Sequence, residues 1–360
     1  MGVHLISAQQ AIEGMDQAPG SHGFHAIVDA RTPSEFSLDH LPGALNWPSL
    51  QDHERVEVGT MYKQVGPFEA SKLGAMRVAA NIAKHIEQHL LDKPKHWRPL
   101  VYCWRGGKRS GSMTHIMRQI GWNAHILEGG YKAYRRNVVQ AITELSPQFN
   151  YQVITGQTGS GKSKLLEALA AQGAQTLDLE NIANHKGSVL GNIPNSPQPT
   201  QKCFESQLLL TLKNLNPEQI VFVEAESRKI GSLHVPDALL EKIRHSPCLK
   251  IEASLPARVE FLQRDYDYFL ATPEELKRTI DFLKELHSKE TLQYWKDLID
   301  QQNWATLVQQ LLEQHYDALY RRSQHSNYVN YNQATCYQTS DLSNEGIQLL
   351  ATSILKGLAS

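Results

Sequence analysis

Cysteine is scarce. The four in this 360-residue chain, Cys103, Cys203, Cys248 and Cys336, lie far apart and form no C-x-x-C pair. That spacing signals neither a zinc site nor a disulfide framework and suits a reducing compartment. Long apolar runs are missing too. No stretch approaches the roughly 20 residues that span a bilayer, and the opening MGVHLISAQQ lacks the basic start and apolar centre of a secretory leader. A cytoplasmic protein with no membrane partner is expected. An excess of charge of one sign is the third absence. With 36 basic and 37 acidic residues the net charge is -1, so contact with nucleic acid has to come from a local patch. One such patch exists. From Lys93 to Arg136 the bases Lys93, Lys95, Arg98, Arg105, Lys108, Arg109, Arg118, Lys132, Arg135 and Arg136 face a single acid, Glu128. Arg118, Lys132, Arg135 and Arg136 are its candidates for binding a polyanion.

The same region holds PLVYCWRGGKRSGS, Pro99 to Ser112. Leu100 to Tyr102 reads as a short buried strand, and Trp104 to Lys108 with Gly106 and Gly107 reads as a tight loop. From Ser110, the spacing of Met113, Ile116, Met117 and Ile120 predicts an amphipathic helix. Cys103 thus sits in a loop closing onto a helix N-terminus. Unpaired N–H groups and Arg105, Lys108 and Arg109 favour its thiolate there, so Cys103 is the candidate nucleophile. A lone cysteine is more often a small buried hydrophobe, but packing alone does not call for two glycines and three bases beside it. Around this loop, Phe24 to Val28 and Ala124 to Leu127 read as strands. Phe68 to Leu91 and Tyr131 to Val139 read as helices. The alternation predicts a small parallel α/β sheet with Cys103 at a strand's carboxyl end.

A second motif begins after Phe149. Tyr151 to Thr155 is an apolar strand that runs into Gly156-Gln157-Thr158-Gly159-Ser160-Gly161-Lys162-Ser163, with a helix beyond. This is a P-loop in its strand-to-helix context: backbone N–H groups wrap a phosphate, Lys162 reaches it and Ser163 can hold a magnesium ion. Asp178 and Glu180 follow the short strand Gln175 to Leu177. Glu224 and Glu226 follow the strand Ile220 to Val223. These four acids are candidates to support a metal or a proton transfer, although glutamate stands where nucleotide hydrolases usually show aspartate. From Leu255 the chain reads as helical, with a capping box at Thr272 to Glu275 and Leu276, Ile280, Leu283 and Leu286 on one face. A further amphipathic run, Trp304 to Tyr320, ends in Arg321 and Arg322. His85 and His89, four apart on a helix, read as a polar face, and no metal ligand set is assigned.

The boundaries expected are 1–145 for the cysteine-loop domain, 146–254 for the P-loop domain and 255–360 for a mainly helical extension. The fold class is α/β throughout. The segments DARTPSEFSLDHLPGALNWP, VYCWRGGKRS and GWNAHILEGGYKAYRR resemble the signature segments of a rhodanese domain. That resemblance implies a sulfur-carrying role for Cys103 and a structural ion pair for Asp29 and Arg31. Cys103 to Arg109 also fits the C-x-x-x-x-x-R loop of cysteine phosphatases. Against that reading, Tyr102 stands where those enzymes have histidine.

A rhodanese domain followed by GQTGSGKS and LDLENIANHKGSVLGN resembles the tRNA 2-selenouridine synthase family. NWPSLQDHERVEVGTMYK and LLEQHYDALY extend the likeness along the chain. The resemblance implies a transferase of selenium-containing groups acting on tRNA with a wobble 2-thiouridine. Geranyl diphosphate would alkylate the sulfur, and selenophosphate would then supply selenium in its place. Beyond these substrates no cofactor is required, though Mg2+ has a place at Ser163. The alternative is a P-loop small-molecule kinase or NTPase with an accessory rhodanese sulfurtransferase domain.

Overall fold

The computed structural model describes residues 5–15, 23–188, 190–317 and 327–359. The chain forms two compact units: Met1–Ala141 with Thr200–Ser206, and Ile142–Pro199 with Gln207–Ser360.

The first unit is built on five parallel strands, β1 (Leu5–Ile6), β2 (Ala26–Asp29), β3 (Ala44–Asn46), β4 (Pro99–Tyr102) and β5 (His125–Leu127), in the order β1-β5-β4-β2-β3. β4 is central, and all four of its residues are buried, which is why it reads as an uninterrupted apolar run. Helices of this unit pack Val78, Ile82, Met113 and Met117 against Val28 and Val101. The stretch between β3 and β4 is a helical hairpin, Asp52–Gln64 and Pro67–His89, turned at Gly66. His85 and His89 stack on Trp47, and His85 Nε2 meets Pro48 O at 3.1 Å, so both histidines pack against an aromatic ring.

In the second unit, β6 (Asn150–Gly156), β7 (Gln175–Leu177) and β8 (Ile220–Glu224) precede a small hairpin, β9 (Lys229–Ile230) with β10 (Leu233–His234). β11 (Cys248–Ala253) and β12 (Thr335–Thr339) complete a parallel sheet of order β12-β11-β6-β8-β7. Again the loop-bearing strand, β6, is central. β12 lies in the stretch expected to be helical. TCYQT is mostly exposed, and an edge strand of that kind has no apolar run to announce it.

Two details of the helical region differ from expectation. Thr272 does not cap the helix Pro273–Ile280, because its hydroxyl donates to Tyr268 O at 3.1 Å on the helix just before it. Leu276, Ile280 and Leu283 are buried, but Leu286 is exposed, because the helix gives way to a 3-10 turn at Asp281–Leu283 and the periodic face ends. The run from Trp304 is α-helical to Leu311 and continues as a π-helix, Leu312–Tyr316. Arg321 and Arg322 fall outside the described residues.

Candidate functional site

Cys103 follows β4 directly and is 3% exposed. Its Sγ accepts the Gly107 N–H and the Ser110 hydroxyl, each at 3.2 Å. The helix begins at Lys108, two residues before the predicted start, so Lys108 and Arg109 stand in its first turn. Gly130 closes the loop from the other side. Its φ is +59°, and a Cβ there would lie 2.3 Å from Cys103 O and 2.4 Å from Gly106 N. Only glycine allows that approach. Tyr131 N–H and Lys132 N–H then donate to Cys103 O and Trp104 O at 2.8 and 3.0 Å.

Of the bases expected to serve this loop, Arg105 and Lys108 are exposed, but Arg109 is bound to Glu35 at 2.6 Å. Burial works against the Glu35 carboxylate, yet the Arg109 guanidinium holds it below the usual carboxylate range. Asp29 and Arg31 form an ion pair at 2.6 Å with almost no exposure, and the Arg31 guanidinium lies 3.8 Å from the centre of the Tyr131 ring. Among the polyanion candidates, Lys132 and Arg136 are exposed. Arg118 donates to Ala124 O at 2.7 Å. Arg135 is 12% exposed and bound to Glu205, Lys202 O and Ser206 Oγ. The structure therefore commits Arg135 internally, through partners about 70 positions away that its sequence neighbourhood could not reveal.

The P-loop of the second unit leaves β6 at Gly156 and enters the helix Lys162–Ala171. Lys162 Nζ donates to Gly156 O at 3.0 Å, and Ser163 Oγ donates to Glu180 Oε2 at 2.6 Å. Glu224 ends β8 beside β6, opposite Ile154, and is fully buried. Its Oε1 accepts the Glu180 N–H at 2.9 Å, while Oε2 is buried with no hydrogen-bond partner. Asp178 caps the short helix Leu179–Ala183 through Asn181 N–H at 2.8 Å. Gly187, with φ +67°, lies against this group. A Cβ there would meet Glu180 Oε1 at 2.2 Å and Glu226 Oε1 at 2.9 Å.

Crowding acids away from water raises them. Burial, then neighbouring carboxylates, pushes Glu224 and Glu226 well above the usual range, and burial pushes Asp178 to about 6. Burial lowers Lys162, although Glu180, Glu226 and Glu224 oppose the shift. Lys162, Asp178, Glu180 and Glu226 line a cavity of about 520 Å³. Among the described residues, no three metal-ligating side chains converge on one point.

Residues that sequence reasoning missed complete the site. Arg258, 2% exposed, donates to Thr158 O at 2.9 Å and Gln157 Oε1 at 3.1 Å and is clamped by Asp317. It braces the P-loop from about a hundred residues away, with no local motif to mark it. Lys186 is paired with Asp265 at 2.7 Å and lies over the Tyr266 ring at 4.5 Å.

A cysteine loop on one parallel α/β sheet and a P-loop on another define a rhodanese-like domain joined to a P-loop domain. Residues 7–137 match the family model for the rhodanese-like domain. Residues 149–287 match that for the tRNA 2-selenouridine synthase AAA domain. The chain is thus similar to the tRNA 2-selenouridine synthases. Over 251 residues it is 39% identical to the tRNA 2-selenouridine synthase of Nitrosomonas europaea, a match covering 69% of this chain and 64% of that one. The protein of that name from Bdellovibrio bacteriovorus is 36% identical, with 67% and 64% covered. The one from Salmonella agona is 35% identical, with 67% and 65% covered. The chain thus spans slightly less than two thirds of the length of these relatives. Among the described residues no helix is long and apolar enough to cross a membrane.

Proposed function

We propose that this chain is a tRNA-modifying transferase that converts a wobble 2-thiouridine to 2-selenouridine in two steps. One observation carries the reading. A single chain pairs a buried cysteine, its sulfur held by two hydrogen-bond donors, with a phosphate-binding loop facing a large cavity. The relatives' names supply the tRNA and the selenium.

In the first step the thiouridine sulfur attacks C1 of geranyl diphosphate. The C–O bond breaks and inorganic diphosphate leaves. Lys162, Ser163 and the N–H groups of Gly159 to Gly161 suit that role, because they stabilise the charge gathering on the leaving group. Magnesium fits beside them. Ser163 and Glu180 would hold it, the unpartnered Glu224 Oε2 lies in the same group, and one or two carboxylates with substrate phosphates are its usual ligands. When bound, it offsets negative charge on the diphosphate.

Alkylation changes the base. A thiocarbonyl sulfur leaves poorly, whereas an S-geranyl group departs as geranyl thiol once a nucleophile attacks the base carbon. Cys103 serves this second step by attacking that carbon as geranyl thiol leaves; selenide released from selenophosphate, whose phosphoryl group passes to water, then displaces the cysteine thiolate and leaves 2-selenouridine. Arg105 and Lys108, exposed beside it, meet selenophosphate or the RNA backbone.

The test is nucleoside mass spectrometry on thiolated tRNA incubated with the chain and both donors, each omitted in turn. The expected result is an S-geranyl nucleoside with geranyl diphosphate alone and a selenated one with both. Neither product, with ATP hydrolysed, would hand the P-loop to nucleotide chemistry.

A further inference from the structure

Beside the P-loop cavity lies a second, smaller space of about 80 Å³ with an almost wholly apolar wall. Leu190, Leu262, Phe269, Leu276, Leu307 and Leu311 form most of it, as a gap in the apolar cluster of the helical region. The two spaces share Thr158, Ser188, Leu262, Tyr266 and Tyr316, so the slot adjoins the place where the P-loop presents its N–H groups. An apolar hole of this kind stays dry, and neither the two cores nor phosphate binding requires it.

We propose that this slot takes the apolar tail of an organic diphosphate whose head group the P-loop holds. The inference rests on the reading that the loop binds a diphosphate, and it adds where the rest of that molecule goes. Size sets the fit. One water-sized group needs roughly 10–15 Å³ of such space, so about 80 Å³ accommodates about six. A branched five-carbon isoprene unit fills that room, and the rest of a ten-carbon tail passes the residues the two spaces share, Tyr266 and Tyr316 among them. Polarity sets the selectivity. A nucleobase would bring several ring nitrogens and an amino group into a wall of leucines, where they lose their water without replacement. The slot thus favours a prenyl diphosphate over a nucleotide at the same loop.

The experiment is calorimetric titration of the full chain, with magnesium, against inorganic diphosphate, methyl diphosphate, the five-, ten- and fifteen-carbon prenyl diphosphates, and ATP. The ten-carbon ligand is expected to bind about a hundredfold more tightly than methyl diphosphate, with a more negative heat-capacity change. The fifteen-carbon tail gains nothing further. Val308, half-buried in the slot wall, allows a second measurement. Val308→Trp should cut the ratio between ten-carbon and methyl ligands to under threefold. Methyl and ten-carbon diphosphates binding equally well to the wild type would overturn the slot while leaving the diphosphate reading intact. ATP bound with no diphosphate bound at all would overturn both.

Discussion

Ser163 Oγ donates a 2.6 Å hydrogen bond to Glu180 Oε2, so the P-loop serine is held by a carboxylate from the short helix after β7. Glu180 in turn offers its N–H to Glu224 at the end of β8. A chain of contacts therefore links the phosphate loop to the acid in the usual position for magnesium support. It also places several acids around one half-buried lysine, Lys162. A diphosphate entering such a site needs a countercharge, which magnesium would supply under the proposed function.

Lys162→Ala should abolish the first step. Without its ammonium, charge on the departing diphosphate goes uncompensated, and loss of one well-placed donor typically slows a step by about a hundredfold or more. The check is the S-geranyl nucleoside formed without a selenium donor. Normal amounts from the variant would take the P-loop out of the alkylation.

Cys103→Ser should divide the two steps differently. Serine still fits the site and the hydrogen bonds from Gly107 and Ser110, but its hydroxyl is a far weaker nucleophile and leaving group than a thiolate. S-geranyl nucleoside should accumulate even with selenophosphate present, while the selenated product disappears. Full selenation by the variant would show that selenium reaches the base without this side chain.

Much of this was legible from sequence because each loop announces itself locally. Cys103 and the P-loop each follow a buried central strand, whose apolar letters and trailing glycines are contiguous. What holds the loops in place was not legible. Glu35 meets Arg109 across 74 positions and Arg258 meets the P-loop across about a hundred, so neither pair leaves a periodicity or a motif. β12 escaped for another reason: an exposed edge strand is stabilised by its ladder to β11 and carries no apolar signature. The basic run from Lys93 to Arg136 misled in part. Composition counts charges but does not say which, like Arg109 and Arg135, are already paired.

Gly130→Ala should act like a mutation of the cysteine although the residue bears no chemistry. At φ +59° an added Cβ collides with Cys103 O and Gly106 N, so the cysteine loop has to move. Selenation should fall at least about tenfold while geranylation persists, since a small misplacement of a reacting group costs that much or more. Alkylation of Cys103 by iodoacetamide, followed by peptide mass spectrometry, should change rate in parallel. Wild-type selenation by the variant would show that the loop tolerates the shift.

Asp29→Asn tests the ion pair under the loop. It leaves the Arg31 guanidinium, 1% exposed, without its countercharge, and breaking a buried pair on one side costs about 3–5 kcal/mol. The unfolding transition of the rhodanese-like unit in urea should move to clearly lower denaturant. An unchanged midpoint would mean that Arg31 is satisfied by the Tyr131 ring and Asp39 O alone.

Glu224 gives the P-loop unit a pH dependence whose sign is fixed. Burial first, then Asp178, Glu180 and Glu226, raises its carboxyl well above the value near 4.3 of an unfolded glutamate. Between those two values the folded state keeps a proton that the unfolded state has released, so stability falls as pH rises through that window. Asp178, raised to about 6, adds to the fall between about pH 4 and 6. Glu224→Gln keeps an oxygen to accept the Glu180 N–H and removes the charge. Its Tm should therefore exceed the wild type's by a few degrees at pH 8, with about 2–4 °C for each kcal/mol in a unit of this size. The gap should close towards pH 4, where the wild-type carboxyl is protonated in both states. Scanning calorimetry of both proteins from pH 4 to 8 measures the difference. A Tm gap constant across that range would mean that the difference between the two proteins does not come from the titration of Glu224.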